Sequence, residues 1–263
     1  MSDATLQQVA EIADRSEADA DSGGRPESGI DWQSASRTDV GRVRHVNEDA
    51  FLDSQAERLW VVADGLGGHS RGDYASSAVV DQLRDFPRQS SILANLQDIE
   101  ARLQIAHDKC RNAFRKHRPG TTVAAMLAHG NYSFLLWAGD SRVYRLRDKA
   151  LEQLTRDHSL AEDKFTRGEL SAEEKATHDS AHVLTRALGH GELRLDMTYS
   201  PVRSGDRFLL CSDGLYNPVA FTDIETELAS GSAAQACHAL VDLALAGGGQ
   251  DNITVVVVDA SGG

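Results

Sequence analysis

Six acidic residues stand where apolar runs give way to loops. They are Glu48 and Asp49 in Arg44-His45-Val46-Asn47-Glu48-Asp49, Asp64 in Val62-Ala63-Asp64-Gly65, Asp140 in Gly139-Asp140-Ser141-Arg142, Asp213 in Ser212-Asp213-Gly214, and Asp251 beside Asn252. Carboxylates gathered without compensating lysines repel one another and resist ionisation. A hard divalent cation with oxygen ligands is the usual resolution. No Cys/His set has zinc spacing, so Mg²⁺ or Mn²⁺ is expected rather than Zn²⁺. Two such ions, roughly 3.5–4 Å apart, can generate hydroxide and clamp an in-line displacement at phosphorus. Arg44 adds a planar donor fork for phosphate oxygens. Any one of these acids alone is better explained as a turn residue or helix cap; their shared placement is what points to chemistry.

Strand ends must deliver these acids. Leu59-Trp60-Val61-Val62-Ala63 and Phe208-Leu209-Leu210-Cys211 are short apolar runs, each closed by an Asp-Gly turn, and read as buried strands. Between them, Thr121–Ala128, Tyr132–Gly139, Arg142–Arg147 and Leu151–Leu154 are joined by links too short for a parallel crossover, which predicts an antiparallel meander. Phe134-Leu135-Leu136-Trp137-Ala138 is apolar without alternation, so both its faces must be covered. Helices outside and a second sheet inside satisfy that requirement. Helices are expected over about Tyr74–Phe86, through Ile92, Leu96, Ile99, Leu103 and Ala106, and from about Ser232 to Ala246. Ser171-Ala172-Glu173-Glu174 and Thr222-Asp223-Ile224-Glu225 resemble helix starts. The polar stretch Thr155–Leu188 interrupts the strands and reads as an inserted flap.

The chain has 263 residues, is 41% hydrophobic and 25% charged, and carries a net charge of -13. That balance argues against a nucleic-acid partner. The apolar runs are too short to span a bilayer, and no secretory signal opens the chain. Cys110, Cys211 and Cys237 sit in apolar patterns without metal spacing, which fits buried, reduced thiols and a cytoplasmic protein. Residues 1–33, acidic and rich in Ala and Ser, are expected to be a disordered tail, with the folded domain over 34–260 and the flap over about 155–188.

Taken in order, Arg44-x-x-Asn47-Glu48-Asp49, Val62-Ala63-Asp64-Gly65-Leu66-Gly67-Gly68-His69, Gly120-Thr121-Thr122, Gly139-Asp140-Ser141-Arg142, Thr155-x-Asp157-His158-Ser159, Ser212-Asp213-Gly214 and Asp251-Asn252-x-Thr254 resemble the bacterial branch of the metal-dependent protein phosphatases (PPM family, type 2C). Any one motif is weak; seven in order are specific. The resemblance implies an α+β four-layer sandwich, two central antiparallel β-sheets flanked by antiparallel helix pairs, with the flap beside the active site. It implies that Asp64 bridges two metal ions, that the Gly65 carbonyl binds the second and that Asp213 and Asp251 bind the first. Asp140, with Asp213, matches a third metal site, Glu48 and Asp49 match holders of metal-bound water, and Arg44 matches the phosphate clamp. The implied reaction is attack by metal-activated water on phosphoserine or phosphothreonine without a covalent intermediate. The implied partners are phosphorylated proteins and a cognate Ser/Thr kinase, acted on by a monomer.

One departure leaves the proton donor open. Animal relatives place a histidine two residues after the bridging aspartate; Leu66 stands there, and His69 is the nearest candidate acid. Rival chemistries fit less well. Cys-x5-Arg fails at all three cysteines, which are followed at the sixth position by Lys116, Asn217 and Leu243. Gly68-His69-Ser70-Arg71-Gly72 matches the nucleophile elbow of serine hydrolases, with Ser70 as nucleophile, but an acid at Asp213 leaves only His238, mid-helix, as base. A catalytically dead phosphoprotein-binding scaffold would be expected to lack metal ligands that this chain keeps.

Overall fold

The computed structural model describes Val9 and residues 29–66, 71–114 and 118–262. Twelve strands and seven helices are defined among them. One sheet is ordered β1 (Ile30–Asp39), β12 (Ile253–Gly262), β11 (Arg207–Cys211), β8 (Arg142–Arg147) and β9 (Ala150–Gln153). The other is ordered β10 (Asp196–Pro201), β7 (Tyr132–Ala138), β6 (Val123–His129), β3 (Leu59–Ala63) and β2 (Ala50–Ser54). A short ladder joins β4 (Gly65–Leu66) to β5 (Gly120–Thr121), and the pairings in all three sheets are antiparallel.

Three apolar layers hold these elements in a four-layer stack. Trp32, Trp60, Met126, Leu135, Phe208, Leu210 and Val256 interleave between the two sheets, with Trp32 5.5 Å from Trp60 and 6.2 Å from Phe208, centroid to centroid. The opposite faces of β3, β6 and β7 pack on α1 (Gly72–Leu83) and α2 (Ile92–Ala113). The opposite faces of β8, β11 and β12 pack on α6 (Phe221–Leu228) and α7 (Ala233–Ala246). The strand Phe134–Ala138 is therefore covered on both faces, as its unbroken apolar run requires.

Several elements depart from expectation. The meander is split: β6 and β7 belong to one sheet, β8 and β9 to the other, and Gly139-Asp140-Ser141 carries the chain across the gap. Gly139 makes the crossing at φ +112°, where an added Cβ would stand 2.6 Å from Thr122. The fold also starts earlier than residue 34. Ile30 and Trp32 are buried and pair with Gly262 and Ala260, because their alternation marks a strand that the acidic average of residues 1–33 hides. Val9, inside the expected tail, is buried in the layer beneath α1 and α2; residues 1–8 and 10–28 lie outside the described residues. Thr222 is no cap. The helix begins at Phe221 after Ala220, and the Glu225 carboxylate instead accepts the Leu151 amide at 2.8 Å.

The flap carries two short helices, α3 (Leu160–Thr166) and α4 (Ala172–Thr177), the latter started by the expected Ser171–Glu174 capping box. A four-residue helix, α5 (Asp213–Tyr216), follows β11. No described helix is long and apolar enough to cross a membrane.

Phe208 is fully buried between the sheets, so Phe208→Ala should destabilise the fold by about 3–5 kcal/mol. Urea unfolding checks this; a loss of under about 1 kcal/mol would contradict the inter-sheet core.

Candidate active site

The two sheets meet along a seam, and the acids of five separate loops open onto it. Arg44, Glu48, Asp64, Asp140, Asp213 and Asp251 wall one cavity of about 170 Å³, together with Gly65, Leu66, Asn252 and the flap residues His182 and Leu184. Asp49 is not part of this wall and is bonded to Ser212 beside Asp213.

Asp64 is held by its backbone. The Asp64 amide donates to Thr122 Oγ1 at 2.9 Å, and its carbonyl accepts from the Thr122 amide at 2.8 Å and Thr121 Oγ1 at 2.9 Å. The Gly-Thr-Thr motif is thus a cradle for the β3 terminus. Thr122 Oγ1 lies 2.6 Å from Ser141 Oγ, which ties Asp64 to the turn bearing Asp140. Gly65 is needed for space: a Cβ there would overlap the backbones of Gly72 and Glu48. The Glu48 carboxylate accepts the Gly72 amide at 3.2 Å at the start of α1.

Asn252 staples the Arg44 loop. Its Nδ2 donates to the Val40 and Val46 carbonyls at 2.9 and 3.0 Å, and its Oδ1 accepts the Glu48 amide at 2.8 Å. Ser212 Oγ donates to Asp49 Oδ2 at 2.7 Å and accepts the Thr254 amide at 3.0 Å.

The turn bearing Asp140 is braced by the Thr-x-Asp-His-Ser motif. Asp157 takes a forked pair of bonds from Arg142 at 2.9 and 2.6 Å, and His158 Nδ1 accepts the Gly139 amide at 3.1 Å. Arg142 lies 3.5 Å from the Tyr216 ring centroid, and Tyr216 Oη donates to the Asp140 carbonyl at 2.9 Å. Tyr216 as a brace was not legible beforehand; its only signal is its place one helical turn after Asp213.

Electrostatically, the site is a concentration of like charge. Burial above all, then Asp49, Asp213, Asp140 and Asp251, pushes Asp64 well above the usual carboxylate range. Burial, with Asp213 and Asp157, raises Asp140 to about 7. Asp49 is raised to about 7, chiefly by burial and against its bonds from Ser212 and Thr254. Asp213 is raised by burial and Asp251. Arg44 is the one cation fixed to the cluster by a described ion pair, donating to Asp251 Oδ2 at 2.7 Å.

As they stand, no three His, Cys, Asp or Glu side chains among the described residues close around an ion position. The donor set nevertheless fits a hard divalent cation: the donors are oxygens, and the raised proton affinities of Asp49, Asp64, Asp140 and Asp213 measure how much a cation would relieve. Asp64, Asp140, Asp213, Asp251, Glu48 and Arg44 are brought together as expected. His69 and Ser70 lie outside the described residues.

A family model for protein phosphatase 2C matches residues 41–243, a span that takes in Arg44, Asp64, Asp140 and Asp213. The chain belongs to the protein phosphatase 2C family. It is 38% identical over 236 residues to the serine/threonine protein phosphatase PstP of Mycobacterium tuberculosis, covering 86% of this chain and 44% of that one. It spans less than half of that relative's length. It is 36% identical to the serine/threonine phosphatase stp of Listeria monocytogenes, covering 85% of this chain and 94% of that protein. Among solved structures it superposes on PppA, a key regulatory component of T6SS in Pseudomonas aeruginosa, with a TM-score of 0.81 and 40% identity over 87% of this chain and 97% of PppA. The catalytic domain of PstP in complex with two manganese ions superposes with a TM-score of 0.77, at 36% identity over 88% of this chain and 99% of that one.

The protein phosphatase 2C site has a definite pH signature when no metal is present. Asp49 and Asp140 titrate near 7 in the folded chain but near about 3.9 when unfolded. The folded state therefore binds more protons in between, and the stability this contributes is full below about pH 4 and lost as pH rises through about 7. In EDTA, thermal stability should fall from about pH 5 to about pH 8, and Asp140→Asn should flatten the slope. Identical slopes in parent and variant would contradict the assignment.

Proposed function

We propose that this chain is a metal-dependent protein serine/threonine phosphatase that hydrolyses phosphoserine and phosphothreonine and reverses a Ser/Thr kinase. The observation that carries this is the single cavity in which carboxylates from five loops face Arg44, in a chain of the protein phosphatase 2C family.

Asp64, the Gly65 carbonyl, Asp213 and Asp251 would hold two Mn²⁺ or Mg²⁺ ions, with Asp140 and Asp213 at a third. Glu48 and Asp49 would act through water, which suits Asp49's absence from the wall. Such ions supply Lewis acidity that ionises water near neutral pH and offsets phosphate charge. The chain's own part is positional. Arg44 is half exposed and offers its guanidinium fork to the phosphate dianion. The Thr122–Ser141 and Ser212–Thr254 bonds fix the acids against mutual repulsion, and Leu66 and Leu184 add apolar lining to the cavity.

Hydrolysis of p-nitrophenyl phosphate and of a phosphothreonine peptide, measured with Mn²⁺ and then with EDTA, tests the activity. No turnover with any divalent metal from a folded protein would point instead to a phosphoprotein-binding scaffold. Asp64→Asn and Asp213→Asn should each weaken Mn²⁺ binding by calorimetry more than about 100-fold, the scale at which even outer-shell partners act. Near-parental affinity in either would remove that residue from the ligand set. Arg44→Ala should raise KM by about 10–100-fold, the equivalent of a lost charged hydrogen bond, with less change in kcat; an unchanged KM would remove the clamp.

A further inference from the structure

The cavity holds a group to which none of the roles above gives work. Carboxylates that are ionised to hold cations have no proton to give, and Arg44 does not release its own. Yet an alkoxide leaving from phosphorus needs a proton. His182, on the flap, walls the same cavity as Asp64, Asp213 and Asp251.

The geometry around His182 is that of a presented side chain. Its backbone is fixed by a tight turn: the Ala181 amide donates to the His178 carbonyl at 2.8 Å, and the Val183 amide to the Ser180 carbonyl at 3.2 Å. The Ser180 amide and hydroxyl both bond His178 Nδ1, at 3.0 and 2.7 Å. The Leu160 amide donates to the Val183 carbonyl at 2.8 Å, and Ser159 bridges Leu184, which anchors the turn to the start of α3. The ring itself is exposed and has no hydrogen-bond or ion-pair partner among the described residues. The contrast with His158 is plain, since that ring is buried, stacked on Trp137 and bonded at both nitrogens.

We propose that His182 is the proton donor to the leaving oxygen of the phosphoserine or phosphothreonine side chain. Water adds to phosphorus as the bond from phosphorus to the ester oxygen breaks. The bonding pair stays on the ester oxygen, which takes a proton from the His182 imidazolium and departs as the free hydroxyl. The attacking water loses its proton to solvent, inorganic phosphate is released, and solvent reprotonates the ring. This assignment rests on the proposed phosphatase activity.

Leaving-group chemistry tests it. Nitrophenolate departs without a proton at neutral pH, whereas a serine or threonine alkoxide does not. With saturating Mn²⁺, His182→Asn should lower kcat on a phosphothreonine peptide by about 100-fold, and on p-nitrophenyl phosphate by at least about tenfold less. Added imidazole should restore part of the peptide activity of His182→Ala, and both variants should bind Mn²⁺ with parental affinity by calorimetry. An equal loss on both substrates, or no loss on the peptide, would overturn the assignment and return the role to His69 or water. If the parent hydrolyses neither substrate, the phosphatase activity itself falls, and this assignment with it.

Discussion

The structure depends on confining like charges where water is scarce. Two unit charges about 5 Å apart repel by about 3 kcal/mol at an effective dielectric near 20. A single internal hydrogen bond returns only about 1 kcal/mol. No one bond can hold the cluster of Asp49, Asp64, Asp140, Asp213 and Asp251, so the scaffold uses many short ones. Thr122 to Ser141, Ser212 to Asp49 and Thr254, and Asn252 to Val40, Val46 and Glu48 form a lattice of neutral donors and acceptors around the acids. Most act on backbone rather than on carboxylate oxygens, which fixes the acids in place and leaves their oxygens unspent.

That requirement explains why the fold needs two sheets. An antiparallel sheet puts successive loops at alternate ends, so one five-stranded sheet offers few loops at any one rim. Here the ends of β3, β7 and β11 and the start of β12 come from both sheets and open onto one seam. The crossing at Gly139-Asp140-Ser141 is the joint: it moves the chain between sheets and leaves Asp140 in the gap. Its bracing by Arg142, Asp157, His158 and Tyr216 accounts for a motif that otherwise reads as plain loop sequence.

Legibility in the sequence followed how local each signal was. Asp64 and Asp213 were visible because an apolar run ends in Asp-Gly, and the two-sided burial of Phe134–Ala138 demanded the layered stack. Information carried by pairing over long distances was not visible. Ile30 and Trp32 belong to a strand whose partner lies more than two hundred residues downstream, and composition averaging placed them in a tail. The meander pattern does not reveal the split between sheets, because link length limits chain direction and says nothing of which sheet a strand joins. His182 could not be found, since the flap Thr155–Leu188 has no periodicity to orient its side chains. Only the backbone bonds of its turn set that residue beside the cavity.

Burial also separates two arginines that sequence cannot rank. Arg142 is only 22% exposed, forked onto Asp157 and stacked on Tyr216, and against the burial that lowers its proton affinity the Asp157 bonds raise it. Removing either partner would strand a buried charge, a loss of about 3–5 kcal/mol. Such a pair is a fixed strut. Arg44 pairs with Asp251 at nearly the same distance, but both side chains are open to solvent, 50% and 38% exposed. Exposed pairs contribute about 0–1 kcal/mol, so in the clamp role proposed for Arg44 this one would exchange at little cost for a stronger anion. A phosphate dianion offers three acceptor oxygens where Asp251 offers one to the guanidinium in this geometry. The same residue type is thus a strut in one place and an open ion pair in the other, and solvent access sets the difference.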